Sequence, residues 1–186
     1  MPELIVDFIT SLDGYAAAEG WPGLWGVESR DYLAWLAERP RTTALMGANT
    51  YRLLSGFASG GEPGLEDLTN RPKVVFSSTL AEPLSWANSR LVSGDPVEAV
   101  RELKESGSEQ LSTIGSVSLC RTLLSAGLAD RFRVVVFPFI TGATGQERIY
   151  DGYPDVDLDL VSSRTFDGRL QLLDYVPTVL TSPPGG

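Results

Sequence analysis

The segment QLSTIGSVSLCRTLLSAGLADRFRVVVFPFI, residues 110 to 140, decides the fold class of this chain. Gln110 to Ile114 is typical of a short buried strand, and Gly115 separates it from a helical pattern over Ser116 to Ala126. Gly127 ends that helix, and Arg131 to Ile140 then predicts a long strand. Strand, helix and strand in this order predict two parallel strands joined by a right-handed crossover.

The same alternation continues on both sides of this segment. The sequence predicts strands over 4–10, 42–46, 73–76 and 90–93, and helices over 29–38, 49–54 and 95–106, with loops over 15–28 and 56–71. Gly107 is expected to end its helix in a left-handed conformation. Leu158 to Phe166 and Arg169 to Leu180 alternate around Asp167-Gly168, which predicts an antiparallel hairpin. We therefore expect an α/β fold, a mixed and mostly parallel sheet flanked by helices, in one domain over 1–180 with a disordered tail over 181–186.

Composition excludes several kinds of chemistry. The chain of 186 residues has no histidine, one cysteine and a formal net charge of −9. Neither a Ser-His-Asp triad nor a histidine metal site is available, and one cysteine excludes a zinc cluster, so no metal is expected. The acidity argues against nucleic-acid binding. Val134 to Ile140, the longest uncharged apolar stretch, is too short to span a membrane, and acids at Glu3 and Asp7 argue against a signal peptide, so we expect a cytoplasmic protein.

Three segments follow predicted strands and carry small or hydroxylated residues. They are Gly47-Ala48-Asn49-Thr50, Ser77-Ser78-Thr79 and Gly115-Ser116-Val117-Ser118. Parallel sheets bind ligands at the carboxyl ends of their strands, and a helix N-terminus with nearby hydroxyls favours a phosphate. The alternative is that the glycines only permit tight turns and the hydroxyls only cap helices. Neither GxGxxG nor GxxxxGK[ST] occurs.

Five motifs in order resemble a known family. They are FITSLDGYAAA (8–18), LMGANTY (45–51), KVVFSSTL (73–80), TIGSVSLCRTLLSAGLAD (113–130) and VVVFPFITGATG (134–145). Over about residues 3–177 the chain resembles the dihydrofolate reductase superfamily, in the bacterial branch similar to the C-terminal reductase domain of the riboflavin biosynthesis protein RibD. The resemblance implies a dihydrofolate reductase-like fold and an NADPH-dependent reductase of a small planar heterocycle, pterin or pyrimidine in type. It also implies a homodimer, as is frequent in that family.

The resemblance implies a cofactor site at the three strand exits and at the end of the first strand. Its residues would be Ile9, Thr10, Asp13, Gly14, Tyr15, Ala17, Gly47, Ala48, Asn49, Thr50, Ser77, Ser78, Thr79, Gly115, Ser116, Val117, Ser118 and Leu119. The family has a basic residue after the glycine of the second motif, to bind the 2′-phosphate, whereas Ala48 stands here. NADH therefore stays an alternative to NADPH unless Lys73, Arg90 or Arg52 supplies the charge. The family's Gly-Gly pair appears as Gly115-Ser116, for which we predict a cis peptide bond.

The same resemblance implies a carboxylate on the first helix that meets the substrate. Asp31 is the candidate catalytic residue, although a shifted alignment puts Tyr32 there, Glu28 is a further candidate, and Asp31 could merely complement the helix dipole. Candidate substrate contacts are Glu28, Trp25, Tyr32 and Tyr51, with Tyr51 equally suited to the core. Cys120, among leucines, predicts a packed structural thiol.

Two other functions remain open at this stage. One is a pyrimidine reductase acting on a ribosylaminouracil, with Arg30, Arg39 or Arg41 for a sugar phosphate. The other is a nucleotide-binding protein with little catalysis.

Overall fold

The fold is taken from a computed structural model, which describes residues 1–24 and 26–184. The strands are β1 (Leu4–Ser11), β2 (Tyr15–Ala18), β3 (Thr43–Gly47), β4 (Lys73–Phe76), β5 (Ser89–Val92), β6 (Leu111–Thr113), β7 (Arg131–Phe137), β8 (Gly145–Arg148), β9 (Val156–Phe166) and β10 (Leu170–Val179). The helices are α1 (Arg30–Glu38), α2 (Ala48–Ser59), α3 (Glu66–Asn70), α4 (Pro96–Ser106) and α5 (Val117–Ser125).

Eight strands form one sheet in the order β5-β4-β3-β6-β1-β7-β10-β9. The six strands from β5 to β7 are parallel, whereas β10 pairs antiparallel with both β7 and β9. Asp167 and Gly168, with φ of 47° and 67°, turn the chain between β9 and β10. The predicted α/β class, the parallel sheet and the C-terminal hairpin are confirmed.

Apolar side chains alternate between the two faces of the sheet because successive residues of a strand point in opposite directions. On one face Leu4 and Leu45 pack against Leu119 and Leu123 of α5. On the other face α1 and α2 cover separate clusters. The burial of both faces is what makes the parallel strands read as continuous apolar runs.

Several local predictions were wrong. Residues 56–71 are not one loop, because α2 continues to Ser59 and α3 lies within the segment. Part of the predicted loop over 15–28 is β2, which pairs with β8 as a two-stranded ribbon. Gly107 has φ −87° and is not left-handed; it is needed because a Cβ there would lie 2.5 Å from the carbonyl oxygen of Leu103.

Some predictions concern residues beyond the structural description. Trp25, Gly185 and Gly186 lie outside the described residues. The single domain over 1–180 and the disordered tail stay predictions. Within the described part of the chain, no helix is both long and apolar enough to cross a membrane.

Candidate functional site

A cleft of about 640 Å³ opens at the carboxyl ends of the parallel strands. It brings together all three predicted strand exits, which are distant in sequence. The predicted cofactor residues that line it are Gly47, Ala48, Asn49, Thr50, Ser77, Ser78, Thr79, Ser116, Val117, Ser118 and Leu119. Gly115 lies directly before Ser116, and the cleft is completed by residues from the start of α4, from α5 and from β8.

The helices of the fold differ in how their first turns are capped. Ser29 caps α1 and Asp95 caps α4, each accepting a backbone hydrogen bond from its own helix. By contrast, no side chain caps α2 or α5, whose N-cap residues are Gly47 and Ser116. A helix N-terminus carries donor N–H groups and a partial positive charge. Two uncapped N-termini therefore meet at one cleft, an arrangement suited to a pyrophosphate.

Ser116 joins the two uncapped helix starts. Its hydroxyl accepts a hydrogen bond from the Gly47 amide (2.7 Å) and donates one to Oγ1 of Thr50 (2.7 Å). Gly115 and Ser116 both have left-handed backbone conformations, with φ of 54° and 65°. The Gly115–Ser116 peptide is not cis, so that prediction was wrong: two successive left-handed residues make the bend instead.

A cation contacts the exit of β4 through residues that line the cleft. Ser77 Oγ accepts hydrogen bonds from the amides of Thr79 and Leu80, which shapes the turn. The Arg52 guanidinium, from the second turn of α2, donates to Oγ1 of Thr79 (3.1 Å) and to Oδ1 of Asn49 (3.4 Å). Of the three predicted alternatives, Arg52 alone reaches this exit.

The other two alternatives lie elsewhere. Lys73 is buried and donates to the carbonyls of Leu68, Thr69 and Arg71 at 2.8–3.0 Å. This ammonium group therefore closes the end of α3 and does not face the cleft. Arg90 lies on β5 and does not line the cleft.

The remaining predicted cofactor residues lie at the end of β1, in the following turn and in β2, and do not line the cleft. They are Ile9, Thr10, Asp13, Gly14, Tyr15 and Ala17. Thr10 is buried, and its hydroxyl donates to the Ser11 carbonyl. Asp13 accepts hydrogen bonds from Ser11 Oγ and from the Thr141 amide, and the Ser11 bond lowers its pKa. Asp13 thus fastens the β1–β2 turn to the segment after β7.

The two charged residues that line the cleft had no signal in the sequence. Arg121 reaches the cleft from α5, and Glu147 reaches it from β8. Glu147 has φ 60°, an uncommon conformation for a residue with a side chain. Only the pairing of β8 with β2, which joins segments far apart in the chain, brings Glu147 here.

The structure does not bring Asp31 to the cleft. Its carboxylate pairs with Arg164 of β9 at 3.0 Å, and its side chain is 41% exposed. Glu28 accepts a hydrogen bond from the Gly26 amide. Tyr32 and Tyr51 are core residues, 6% and 4% exposed, and burial raises the pKa of Tyr32. Tyr51 Oη accepts from the Trp86 amide, and the candidate contact Trp25 is outside the described residues.

A second cavity, of about 440 Å³, lies at the opposite end of the sheet, below the C-terminal end of α1. It is lined by Glu3, Ile5, Trp35, Glu38, Arg39, Pro40, Thr42, Gln110, Arg131 and Arg133. Three arginines on one small cavity are unexpected in a chain with 15 basic and 24 acidic residues. We call it the arginine cavity.

Behind the arginine cavity runs a ladder of alternating charges, Arg39–Asp7–Arg133–Asp174–Arg131. The closest nitrogen–oxygen distances along it are 2.7, 3.6, 3.0 and 2.9 Å. Asp7 points to this face because its neighbours Val6 and Phe8 point to the α5 face. The side chains of Asp7 and Asp174 are 13% and 5% exposed. The ladder thus holds three guanidinium groups against two shielded carboxylates.

Cys120 is fully buried, and its thiol donates to the Gly115 carbonyl. Burial raises its pKa to about 12, which confirms the predicted structural thiol. Among the described residues, no group of three or more Cys, Asp or Glu side chains is placed to hold a metal ion.

Comparison with known proteins gives the family. The model of the RibD C-terminal domain family matches residues 2–172. The chain belongs to the RibD C-terminal domain family. This match confirms the dihydrofolate reductase-like resemblance and associates the RibD-type chain with the reductase domain of riboflavin biosynthesis. The uncharacterised protein YyaP of Bacillus subtilis (strain 168) is 25% identical over 178 residues, covering 92% of this chain and 93% of YyaP.

Solved structures similar to this RibD-type chain agree in fold. A putative riboflavin biosynthesis protein from Shewanella sp. PV-4 has a TM-score of 0.73 at 21% identity, covering 95% of this chain and 99% of that one. A pyrimidine reductase-like protein from Corynebacterium diphtheriae has a TM-score of 0.67 at 17% identity, covering 95% and 92%. A deaminase/5-amino-6-(5-phosphoribosylamino)uracil reductase from Thermotoga maritima also scores 0.67 at 17% identity, over 95% of this chain and 57% of that one.

Proposed function

We propose that this protein is an NADPH-dependent reductase of a small planar heterocycle of the pyrimidine or pterin type. The observation that carries the proposal is the meeting of two uncapped helix N-termini at one hydroxyl-lined cleft. Membership of the RibD C-terminal domain family supports the reaction class. When bound, NADPH supplies a hydride, so the protein's own part is binding and orientation.

The residues present fit such a cofactor. The first turns of α2 and α5 can donate backbone N–H groups to the pyrophosphate, and Ser118 adds a hydroxyl. The Ser116 hydroxyl, already bonded to Gly47 and Thr50, instead holds the two helix starts at a constant separation. An acidic protein can hold an anion in this way because backbone donors need no positive side chain.

Arg52 supports NADPH over NADH. Its guanidinium donates to Thr79 and forms no ion pair within 4 Å in the part of the chain that the structure describes. A 2′-phosphate placed at this exit would neutralise that charge and accept charge-assisted hydrogen bonds. Substitution of Arg52 by Gln should weaken NADPH about tenfold and leave NADH binding unchanged.

The cofactor proposal is tested by placing an acid at one helix start. Ala48→Asp adds a negative charge at the first residue of α2, which favours the helix dipole but repels a pyrophosphate. We expect NADPH affinity, measured by nicotinamide fluorescence, to fall at least about tenfold with the melting temperature unchanged or raised. Ala34→Asp, an exposed position within α1, adds the same charge away from the cleft and is the control. Equal NADPH binding by the wild type and Ala48→Asp would contradict the proposal.

The nucleotide-binding alternative is favoured by one observation: Asp31, the predicted acid, lies off the cleft in an ion pair with Arg164. NADPH binding without consumption of NADPH on any pterin or aminouracil would establish this alternative.

We further propose that two copies associate through β9. This strand of eleven residues forms the edge of the sheet, and Leu158, Leu160 and Val161 are 39%, 58% and 51% exposed. An antiparallel second copy centred between Leu160 and Val161 would place Asp157 of one chain opposite Arg164 of the other, and unpaired edges favour such pairing. Leu160→Lys should convert a dimer to a monomer in light scattering, whereas Leu33→Lys, exposed on α1, should not.

A further inference from the structure

Strands β1 and β6 stop pairing well before β1 ends. Their parallel register ends at the pair Ile5–Ser112, whereas β1 continues beside β7 as far as Ser11. In a parallel pair the backbone hydrogen bonds follow at even spacing, so the next bond would join the Asp7 amide to the Thr113 carbonyl. The Asp7 amide instead donates to the Thr113 hydroxyl, at 2.8 Å.

The Thr113 hydroxyl takes over the β6 side of Asp7. It also donates to the Asp7 carbonyl (3.1 Å), so one side chain bonds both backbone groups of Asp7. The Gly115 amide donates to the same carbonyl (3.3 Å), as it would in a regular pairing of the two strands. The hydroxyl therefore replaces one backbone hydrogen bond and leaves the Thr113 carbonyl outside the pairing.

A second side chain replaces the bond that would follow. In a continued pairing the Gly115 carbonyl would accept from the Ile9 amide. Here it accepts from the thiol of Cys120 at 2.8 Å, and Cys120 Sγ lies 3.3 Å from the Thr113 hydroxyl oxygen. The β1–β6 pairing thus ends on two side chains in place of backbone groups.

The bend that forms the cleft comes directly after this point. Gly115 and Ser116 are left-handed, with φ of 54° and 65°, a conformation incompatible with a parallel strand. Ser116 accepts from the Gly47 amide and donates to Thr50, which joins the starts of α2 and α5. If the Thr113 carbonyl bonded the Asp7 amide, β6 would stay extended for longer and the bend would be displaced.

Packing alone does not account for a hydroxyl at position 113. Thr113 is 2% exposed and lies on the sheet face where Leu111 and Cys120 belong to the apolar clusters under α5. Valine would have the same branched shape there, and burying a hydroxyl costs free energy unless it is hydrogen-bonded. The hydrogen bonds to Asp7 are therefore what the threonine contributes.

We propose that Thr113 is a positioning residue for the cofactor cleft. Its hydroxyl ends the β1–β6 pairing and thereby places the Gly115–Ser116 bend between the two uncapped helix starts. Thr113 does not itself line the cleft, so its effect reaches a ligand through Gly115 and Ser116. The link to NADPH rests on the proposed function, whereas the link to the bend does not.

The test replaces Thr113 by valine, which keeps the branched shape and removes the hydroxyl. The Asp7 amide can then bond only the carbonyl of residue 113, which moves the bend. NADPH affinity in calorimetry should fall about tenfold or more. Thr113→Ser keeps the hydroxyl and should bind NADPH within about threefold of the wild type.

Ser112→Ala is the matched control, because it removes a buried hydroxyl from the adjacent position of β6. The Ser112 hydroxyl lies 2.6 Å from that of Thr42, on the sheet face opposite to Thr113. We expect Ser112→Ala to lower the melting temperature as Thr113→Val does, but to leave NADPH affinity unchanged.

Amide hydrogen exchange at Gly47 reports the bend without any cofactor. The Gly47 amide donates to Ser116 Oγ, so a displaced bend removes its acceptor. In Thr113→Val this amide should exchange at least about tenfold faster than in the wild type. In Thr113→Ser and Ser112→Ala its rate should stay within about threefold of the wild-type rate.

Each outcome decides the inference. Wild-type NADPH affinity and Gly47 exchange in Thr113→Val overturn it, as does an equal loss of NADPH affinity in Thr113→Val and Ser112→Ala. If Thr113→Val does not fold, Thr113→Cys takes its place, because a thiol is a weak donor and acceptor. Affinity and exchange in Thr113→Cys equal to those of Thr113→Ser then overturn the inference. If the wild type does not bind NADPH while Gly47 exchange responds as expected, the proposed function is overturned and the role of Thr113 stands.

Discussion

The two ends of the sheet carry different kinds of polar groups. At the carboxyl end, helices α2 and α5 begin without side-chain caps, and the cleft is lined mainly by small and hydroxylated residues. At the amino end, α1 finishes at Glu38, and the cavity there is lined by three arginines. The polar groups of the cleft are mainly backbone N–H groups and hydroxyls, whereas those of the cavity are mainly charged side chains.

The difference follows from the direction of the chain. In a parallel sheet with helical crossovers, every strand runs toward helix N-termini at one end and away from helix C-termini at the other. N-termini offer donors and partial positive charge, whereas C-termini offer carbonyls and partial negative charge. Positive charge at the amino end must therefore come from guanidinium groups, and each one buried there needs a carboxylate to hold it.

The largest expected effect is the loss of Asp174, the most shielded member of the ladder. Asp174→Ala leaves Arg131 and Arg133 without their main partner, and breaking a buried ion pair from one side costs about 3–5 kcal/mol. Urea denaturation should report this loss in the free energy of unfolding. A change in the free energy of unfolding below about 1 kcal/mol would show that water solvates the ladder, so that its ion pairs contribute no more than surface pairs do.

Lys73 contrasts with these arginines because it is a buried cation with no carboxylate partner among the described residues: three carbonyls accept from its ammonium group, which also lies 4.7 Å from the centre of the Trp86 ring. Burial lowers its pKa to about 8 from an ordinary value of 10.5. Between these values the unfolded chain binds more protons than the folded one, so stability rises as the pH rises through this window, by up to about 3 kcal/mol. The wild type should therefore gain unfolding free energy relative to Lys73→Met as the pH rises from 8 to 10.5. A constant difference would contradict the lowered pKa.

Substitutions of Ser116 test how the starts of α2 and α5 are joined at the cleft. Ser116→Ala removes both hydrogen bonds that join the helix starts and should destabilise the protein by about 2 kcal/mol. Ser116→Gly loses the same bonds but relieves the left-handed backbone, so it should cost about 1 kcal/mol less. Thermal melts of the two variants provide the measurement. If glycine were as costly as alanine, backbone strain at Ser116 would play no part.

The smallest expected effect is at Asp31, which lines neither the cleft nor the arginine cavity. Its pair with Arg164 is exposed on both sides, so Asp31→Asn should change stability by less than about 0.5 kcal/mol. Binding of NADPH should also be unchanged in calorimetry. A large loss of turnover in Asp31→Asn with binding intact would restore Asp31 as the proton donor.

Local sequence patterns predicted most of the fold and the residues of the cleft, but not those of the arginine cavity. Alternation around Asp167-Gly168 specified the hairpin, and the glycines and hydroxyls after β3, β4 and β6 specified the cleft, because each signal lies within a few adjacent residues. Asp7 gave no such signal, since an acid within an apolar strand has no meaning until Arg39 and Arg133 are placed beside it. Glu147 and the β2–β8 ribbon were missed for the same reason.

The sequence by itself determined the α/β class, the mostly parallel direction of the strands, the family resemblance and the residues at the strand exits. These depend on hydrophobic periodicity, turn chemistry and helix capping, all of which act over short stretches of chain. Only the tertiary structure decided that Arg52 contacts the exit of β4, that Asp31 lies away from the cleft, and that Arg39, Arg131 and Arg133 converge on one cavity. Charged side chains lack a periodic signature, and their partners are chosen by which strands become neighbours in the sheet.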